Sequence, residues 1–481
     1  MTNLDPAAIR KLAQAIAAEI SGAPGASAPA ASARADAGNL GDGVFGTVDE
    51  AVRAARTAFA AYSGMGLGLR YKIIAAMRDV CRREGANLAR MAHDETGIGR
   101  YEDKVAKNHV VTEKTPGPEI LTPQSRSGDH GLMIVEPAPF GVIGAITPTT
   151  NPTSTIINNA IGMLSAGNAV VFNVHPAAKK TSAYNIQLLN RAIVAAGGPP
   201  NLLCCVAVPT IKSAGDLMTH PLVRLVVVTG GGGVVKAAMN SGKRAICAGP
   251  GNPPTVVDPT ADIGKAARDI VLGHSFDNNV ICVDEKEVIA VASIADPLMS
   301  AMKQHGAVLL DKSRLKELEN VIFKEMAGPK GHAKINRDFV GKNASLILEK
   351  LGISAGLEAR CVAIEVPNDH PLIYTEQMMP VLPITRVPGV DQAIDLAVEA
   401  EGGCFHTATM HSHDLRALSK MARACNCSIF VKNGRSVDGL AVGGEGWTSF
   451  TIASPTGEGL TTALSFSRWR RCTLVDHFRI V

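Results

Sequence analysis

The sequence predicts an α/β protein: a doubly wound nucleotide-binding layer, a second α/β domain and a short closing arm. Three observations carry this. The chain has 481 residues, room for two or three domains at about 100–200 residues each. Hydrophobic residues make up 46% and charged residues 19%, the balance of a globular protein with a large core. Short apolar runs alternate with helical stretches, which is how parallel βαβ units read.

The first element is an amphipathic helix over 1–20. Asp5 suits the N-cap and Pro6 the first helical position. Leu4, Ile9, Leu12, Ile16 and Ile20 recur at helical spacing, with Ala13 and Ala17 widening the stripe. Residues 21–38 are nearly all Ala, Gly, Ser and Pro, too little apolar surface to offset ordering, and read as a flexible linker. A helix on such a tether is either a docking peptide or an ordinary first helix packed on the body. Residues 39–248 then form the nucleotide-binding domain. Helical periodicity over 48–62 and 71–97 precedes strand-like runs at 141–146, 169–173, 203–208 and 225–228, with a helical stretch at 182–196. Residues 249–438 form the second domain, with strand-like runs at 255–257, 288–291, 307–310, 360–365 and 385–387. Residues 439–462 are rich in Gly, Ser and Thr, and 472–475 is strand-like, so 439–481 reads as loops and an interface arm.

Composition excludes several classes. A net charge of +4 and 4% aromatics argue against a polyanion partner or a base-stacking surface, so no nucleic acid is expected. No apolar run reaches the length of about 18 residues that a membrane span needs, and no secretory signal is visible. The ten cysteines include no C-x-x-C pair, which fits reduced thiols in a cytoplasmic protein and no metal site.

One cysteine stands apart. Ser275-Phe-Asp-Asn-Asn-Val-Ile-Cys-Val-Asp-Glu-Lys286 puts Cys282 in a polar turn before a helix or strand. A thiol reacts as thiolate and needs amides or a cation to reach it; Asn278 and Asn279 offer turn geometry and amide donors. Alone, this does not distinguish a nucleophile from a structural cysteine. Four other segments add weight. Pro139-Phe-Gly-Val-Ile-Gly-Ala-Ile-Thr-Pro148 and Ala169-Val-Val-Phe-Asn-Val-His-Pro176 are strands ending in loops. Val228-Thr-Gly-Gly-Gly-Gly-Val-Val235 is a strand running into glycines, which let backbone amides approach a pyrophosphate. Glu376-Gln-Met-Met-Pro-Val381 follows a loop.

In this order, from about residue 43 to the C-terminus, these motifs resemble the aldehyde dehydrogenase superfamily. The closest likeness is to its CoA-acylating branch, the propionaldehyde and acetaldehyde dehydrogenases of bacterial microcompartments. Thr147-Pro-Thr-Thr-Asn-Pro152, the Cys282 segment and Gly443-Gly-Glu-Gly-Trp-Thr-Ser-Phe-Thr-Ile-Ala-Ser-Pro-Thr-Gly-Glu-Gly-Leu460 carry it. The resemblance implies a Rossmann-type NAD-binding domain, an α/β catalytic domain and a small oligomerisation arm to which 121–139 contributes.

It also implies roles. Cys282 would attack the aldehyde, the Cys282 amide and Asn151 would stabilise the oxyanion, and His406 would assist proton transfer. Thr147, Pro148, His175, Pro176, Gly230 and Gly231 would line NAD, and Glu376 would hold its ribose. Hydrolytic relatives carry the donor asparagine one place earlier, where this chain has Thr150. They also carry a general-base glutamate where this chain reads Ile246-Cys-Ala-Gly-Pro-Gly-Asn-Pro253. Without a group to activate water, the thioester should wait for coenzyme A. The expected reaction converts a short-chain aldehyde, propionaldehyde before acetaldehyde, to acyl-CoA with reduction of NAD. A homodimer or homotetramer is expected, docked by residues 1–20 to shell proteins of a microcompartment in the cytoplasm. A hydrolytic dehydrogenase and a catalytically silent shell-anchored scaffold remain as alternatives.

Overall fold

The computed structural model describes residues 40–481. The helix and linker expected over 1–38 lie outside the described residues. The chain forms two compact units, one of residues 40–88, 115–248 and 461–481, the other of 89–114 and 249–460.

The first unit is built on β1 (Val44–Phe45), β2 (Gln124–Gly128), β3 (Gly131–Pro139), β4 (Val142–Ile146), β5 (Ala169–Asn173), β6 (Leu203–Val206), β7 (Val223–Thr229) and β8 (Arg244–Ala248). Six of them form a parallel sheet in the order β1-β6-β5-β4-β7-β8. β4 and β5 are buried at every position, which is why they read as unbroken apolar runs rather than alternating ones. The helix Pro152–Ser165 is buried along its whole length and returns the chain from β4 to β5. Asn168 closes that crossover: its Oδ1 accepts from the Phe140 and Gly141 amides at 2.7 and 3.1 Å, and its Nδ2 donates to Phe466 O at 2.9 Å. β2, β3 and the strand Ser467–Val475 make a separate antiparallel sheet. That last strand runs well N-terminal of the expected 472–475, and its side chains are exposed on both faces.

The second unit carries β9 (Pro254–Val257), β10 (Glu287–Val291), β11 (Ala307–Leu310), the short pair β12 (Phe323–Glu325) and β13 (Lys334–Ile335), β14 (Cys361–Glu365), β15 (Val381–Val387), β16 (Thr407–His411) and β17 (Ile429–Lys432). Seven form a parallel sheet in the order β11-β14-β15-β10-β9-β16-β17. Apolar clusters cover both of its faces; one gathers Val256, Ile289 and Val362, the other Val257, Val288 and Ala363. Alternate residues of the same strands thus serve opposite layers. Residues 89–114, read from sequence as part of the first domain, pack in this unit. The reason is ionic: the helix Tyr101–Lys114 supplies Lys104 and Lys107 to Asp277.

Candidate active site

In the first unit the strand order turns outward on either side of β4, with β5 on one flank and β7 on the other. Parallel strands end at one edge, and beyond the carboxyl ends at such a switch point lies the crevice where α/β sheets take ligands. Three predicted cofactor segments fall there. Thr147 and Pro148 follow β4, His175 and Pro176 follow β5, and Gly230 and Gly231 follow β7. Thr147 is buried and its Oγ1 has no hydrogen-bond partner. Gly231 caps the helix Gly232–Met239, and a Cβ placed on Gly230, Gly231 or Gly232 would meet nothing within 4 Å. An orphaned buried hydroxyl beside open space at a helix N-terminus suits a dinucleotide with its pyrophosphate. His175 is exposed, and its Nδ1 accepts from the Ala177 amide at 3.2 Å. Asn151 is buried at the start of the helix Pro152–Ser165, its Nδ2 donating to Thr150 Oγ1 at 3.2 Å.

In the second unit the candidate catalytic residues gather at the opposite kind of edge. Gly251 and Asn252 precede β9, Cys282 precedes β10, Glu376 precedes β15 and His406 immediately precedes β16. These four strands are neighbours in the order β15-β10-β9-β16 and run parallel, so their amino ends meet. A methyl group on Gly251 would lie 2.9 Å from the Cys282 carbonyl oxygen and 2.9 Å from His406 Cγ. The Gly251 amide donates to the Glu376 carboxylate. Sequence reasoning passed over Gly251; its only signal was its place in the stretch that lacks the general-base glutamate.

The turn before Cys282 is unusual. Asp277, Asn278 and Asn279 all have positive φ, at 47°, 57° and 66°. Asp and Asn tolerate this region better than other residues with a Cβ, yet three in succession need outside support. Asp277 supplies it, accepting from Lys104 Nζ at 3.1 Å, from Lys107 Nζ and from the Arg100 amide at 2.6 Å. Asn278 Nδ2 donates to Gly341 O at 3.0 Å and Asn343 Oδ1 at 2.8 Å. Asn279 Nδ2 donates to His274 O at 2.8 Å and Glu285 O at 3.1 Å. The amides read from sequence as help for the thiol therefore hold the turn itself.

Cys282 is partly exposed between buried Ile281 and Val283. Burial of its sulfur, with the carboxylates of Glu376 and Asp284 nearby, pushes the thiol up to about 12, while Lys286 and its own backbone amide pull the other way. Burial also raises Glu376, against the pull of Lys286 and the Gly251 amide. His406 is buried, its Nδ1 lies 2.9 Å from Thr407 Oγ1, and its Nε2 has no partner. Burial and the charge of Lys286 push its imidazole down to about 4, so it is neutral near pH 7. A neutral imidazole whose Nδ1–H is given to Thr407 presents Nε2 as a proton acceptor. A second thiol, Cys404, takes a hydrogen bond from the Asn252 amide and is pushed up to about 11 by burial and Glu401. Among the described residues no three His, Cys, Asp or Glu side chains group as metal ligands.

Two parallel α/β layers, a dinucleotide crevice and a buried thiol beside a neutral histidine define the class, and comparison with known proteins agrees. The chain belongs to the aldehyde dehydrogenase family, whose profile matches residues 43–451. Within it, the chain is 50% identical over 441 residues to the acetylating acetaldehyde dehydrogenase EutE of Escherichia coli (strain K12), covering 91% of this chain and 94% of that protein. It is 49% identical to the propionaldehyde dehydrogenase of Rhodopseudomonas palustris, solved with bound CoA and an acylated cysteine, with a TM-score of 0.87 over 91% of this chain and 99% of that one. A propionaldehyde dehydrogenase from the fucose utilisation bacterial microcompartment of Clostridium phytofermentans is 47% identical, with a TM-score of 0.87 over 91% and 100% of the two chains.

Proposed function

We propose that this protein oxidises a short-chain aldehyde, with NAD and coenzyme A, to acyl-CoA and NADH, using Cys282 as the nucleophile. The observation that carries the reading is the cluster of Cys282, His406 and Glu376 at one strand edge, with Gly251 in contact with the first two.

Cys282 gives up its thiol proton to solvent and attacks the aldehyde carbon as thiolate, forming a thiohemiacetal oxyanion that its own backbone amide meets. NAD, when bound along Thr147, Pro148, His175, Pro176, Gly230 and Gly231, supplies the hydride acceptor. Loss of hydride leaves an acyl thioester on Cys282. No carboxylate occupies 246–253 to activate water, so the thioester persists until the thiol of coenzyme A attacks. His406 Nε2 takes that thiol's proton, and Cys282 leaves as thiolate. General-base help of this kind is typically worth about 10²–10⁴-fold.

NADH formation with and without coenzyme A, and with C2 to C4 aldehydes, tests this. Turnover that needs coenzyme A, with propionaldehyde and acetaldehyde as the better substrates, is expected. Brisk coenzyme A-independent release of free acid would make it a hydrolytic enzyme instead. Cys282→Ala should abolish the acyl-enzyme seen by mass analysis; a silent scaffold would lose nothing.

The finer assignments rest on the same reading. Residues 39–88 and 115–248 bind NAD and coenzyme A, and 249–438, joined by 89–114, carry out catalysis. Residues 121–139 and 439–481 form the oligomerisation arm of a homodimer or homotetramer. The exposed strand Ser467–Val475, with Trp469, Leu474 and Val475 bare, supports that arm. Residues 1–20 dock to shell proteins and place the enzyme inside a microcompartment in the cytoplasm. No helix among the described residues is long and apolar enough to cross a membrane. Deleting 1–20 should leave turnover intact and abolish packaging; continued packaging would reject the docking role.

A further inference from the structure

Lys286 is fully buried. Its Nζ donates to Asn279 O at 3.0 Å, Asn279 Oδ1 at 2.7 Å and Ile281 O at 3.2 Å. Three acceptors use the three N–H bonds of an ammonium, whereas a neutral amine has two. Among the described residues it forms no ion pair with a carboxylate. A buried ammonium held only by neutral oxygens is costly and calls for an anion. Its charge reaches Glu376, Asp284, Glu287, His406 and Cys282. Cys282 follows Ile281 directly, so its thiolate is an anion that this charge favours, and the oxygens gripped by Lys286 belong to the loop that leads into it.

We infer that Lys286 is a positioning residue for the thioester chemistry: it braces the loop 279–281 and supplies the positive charge against which Cys282 becomes a thiolate. This rests on Cys282 being the nucleophile. It assigns two separable effects to one side chain. Gln keeps amide donors for the loop without the charge, Arg keeps the charge, and Met keeps neither.

The test is carbamidomethylation of Cys282 by iodoacetamide, read by peptide mass mapping from pH 7 to 10, with thermal unfolding of each variant. Lys286→Gln should unfold within a few degrees of the parent and react at least about tenfold more slowly at each pH, the equivalent of one pKa unit. Lys286→Arg should recover the rate to within about threefold, and Lys286→Met should lose both rate and stability. A Lys286→Gln protein that reacts at the parental rate overturns the inference. If that variant does not fold, the parent protein decides through a reagent pair. Iodoacetate is an anion and iodoacetamide is neutral, so a local cation should raise their rate ratio at Cys282. That ratio should exceed the ratio measured for free N-acetylcysteine at least about fivefold. An equal or lower ratio overturns the inference. Separately, parent protein given aldehyde and NAD without coenzyme A should carry an acyl group on Cys282. Its absence would refute the nucleophile assignment, whatever the alkylation rates show about Lys286.

Discussion

Gly251 passes so close to Cys282 that a single methyl group on it would sit 2.9 Å from the Cys282 carbonyl oxygen. The same methyl would press on His406 Cγ at the same distance. Neither atom is the free end of a flexible chain, so Gly251→Ala must push the Cys282 loop, the histidine, or both. Overpacking of this kind typically costs about 1–3 kcal/mol, and a shift of about 1 Å at reacting groups can cost about 10²-fold in rate. We expect the urea midpoint to fall modestly and turnover to fall more than tenfold. Parental turnover in Gly251→Ala would show that this contact does not set the site.

The raised thiol sets the pH response of the free enzyme. Below a value of about 12 the thiolate fraction of Cys282 grows tenfold per pH unit. Carbamidomethylation of Cys282 should therefore climb without a plateau from pH 7 to 10, and a plateau near pH 8 would contradict the burial seen here. The same burial has a stability consequence. Cys205 and Cys361 are likewise pushed up to about 12, above the value near 8.5 of an unfolded thiol. The folded state binds more protons than the unfolded state between those values. Its stability is thus complete below about pH 8.5 and lost progressively as pH rises toward 12. Urea midpoints measured from pH 7 to 10.5 should fall at the alkaline end.

Asp277 is fully buried and is the shared anion of Lys104 and Lys107. Asp277→Asn keeps a side chain suited to positive φ but removes the charge, leaving two buried lysines without it. Losing one partner of a buried ion pair costs about 3–5 kcal/mol. We expect a loss of that size in urea unfolding, recovered in part by adding Lys104→Met. A change under about 1 kcal/mol would mean that the lysines find another anion.

The glycines after β7 offer a cleaner separation of fold from binding. Gly231 has an ordinary negative φ of −67°, and a Cβ there meets nothing within 4 Å. Gly231→Ala should leave stability unchanged or raise it by about 0.4–1 kcal/mol. The KM for NAD should rise several-fold, because the methyl stands where a pyrophosphate would lie. An unchanged KM would move the dinucleotide away from this helix end.

By itself the sequence marked nine strands of the two parallel sheets and the local motifs that hold the candidate site residues. The runs at β4, β5, β10 and β14 were legible because strands buried on both faces are unbroken apolar stretches bounded by loops. In the two parallel sheets β1, β8, β16 and β17 escaped notice. β1 has two residues, and Arg244, His411 and Lys432 break the apolar signal of the others. Cys282, His406 and Glu376 were legible as motifs, since each motif is local. What only the tertiary structure decided is that they meet. Their strands are scattered along the chain, and it is the parallel order β15-β10-β9-β16 that brings their amino ends to one edge. Tertiary structure also decided that Lys286 is buried, that Asp277 belongs to two lysines 173 and 170 residues earlier, and that Gly251 sits where a methyl group would press on its neighbours. Charge, burial and contact are properties of surroundings, and surroundings exist only once the chain has folded.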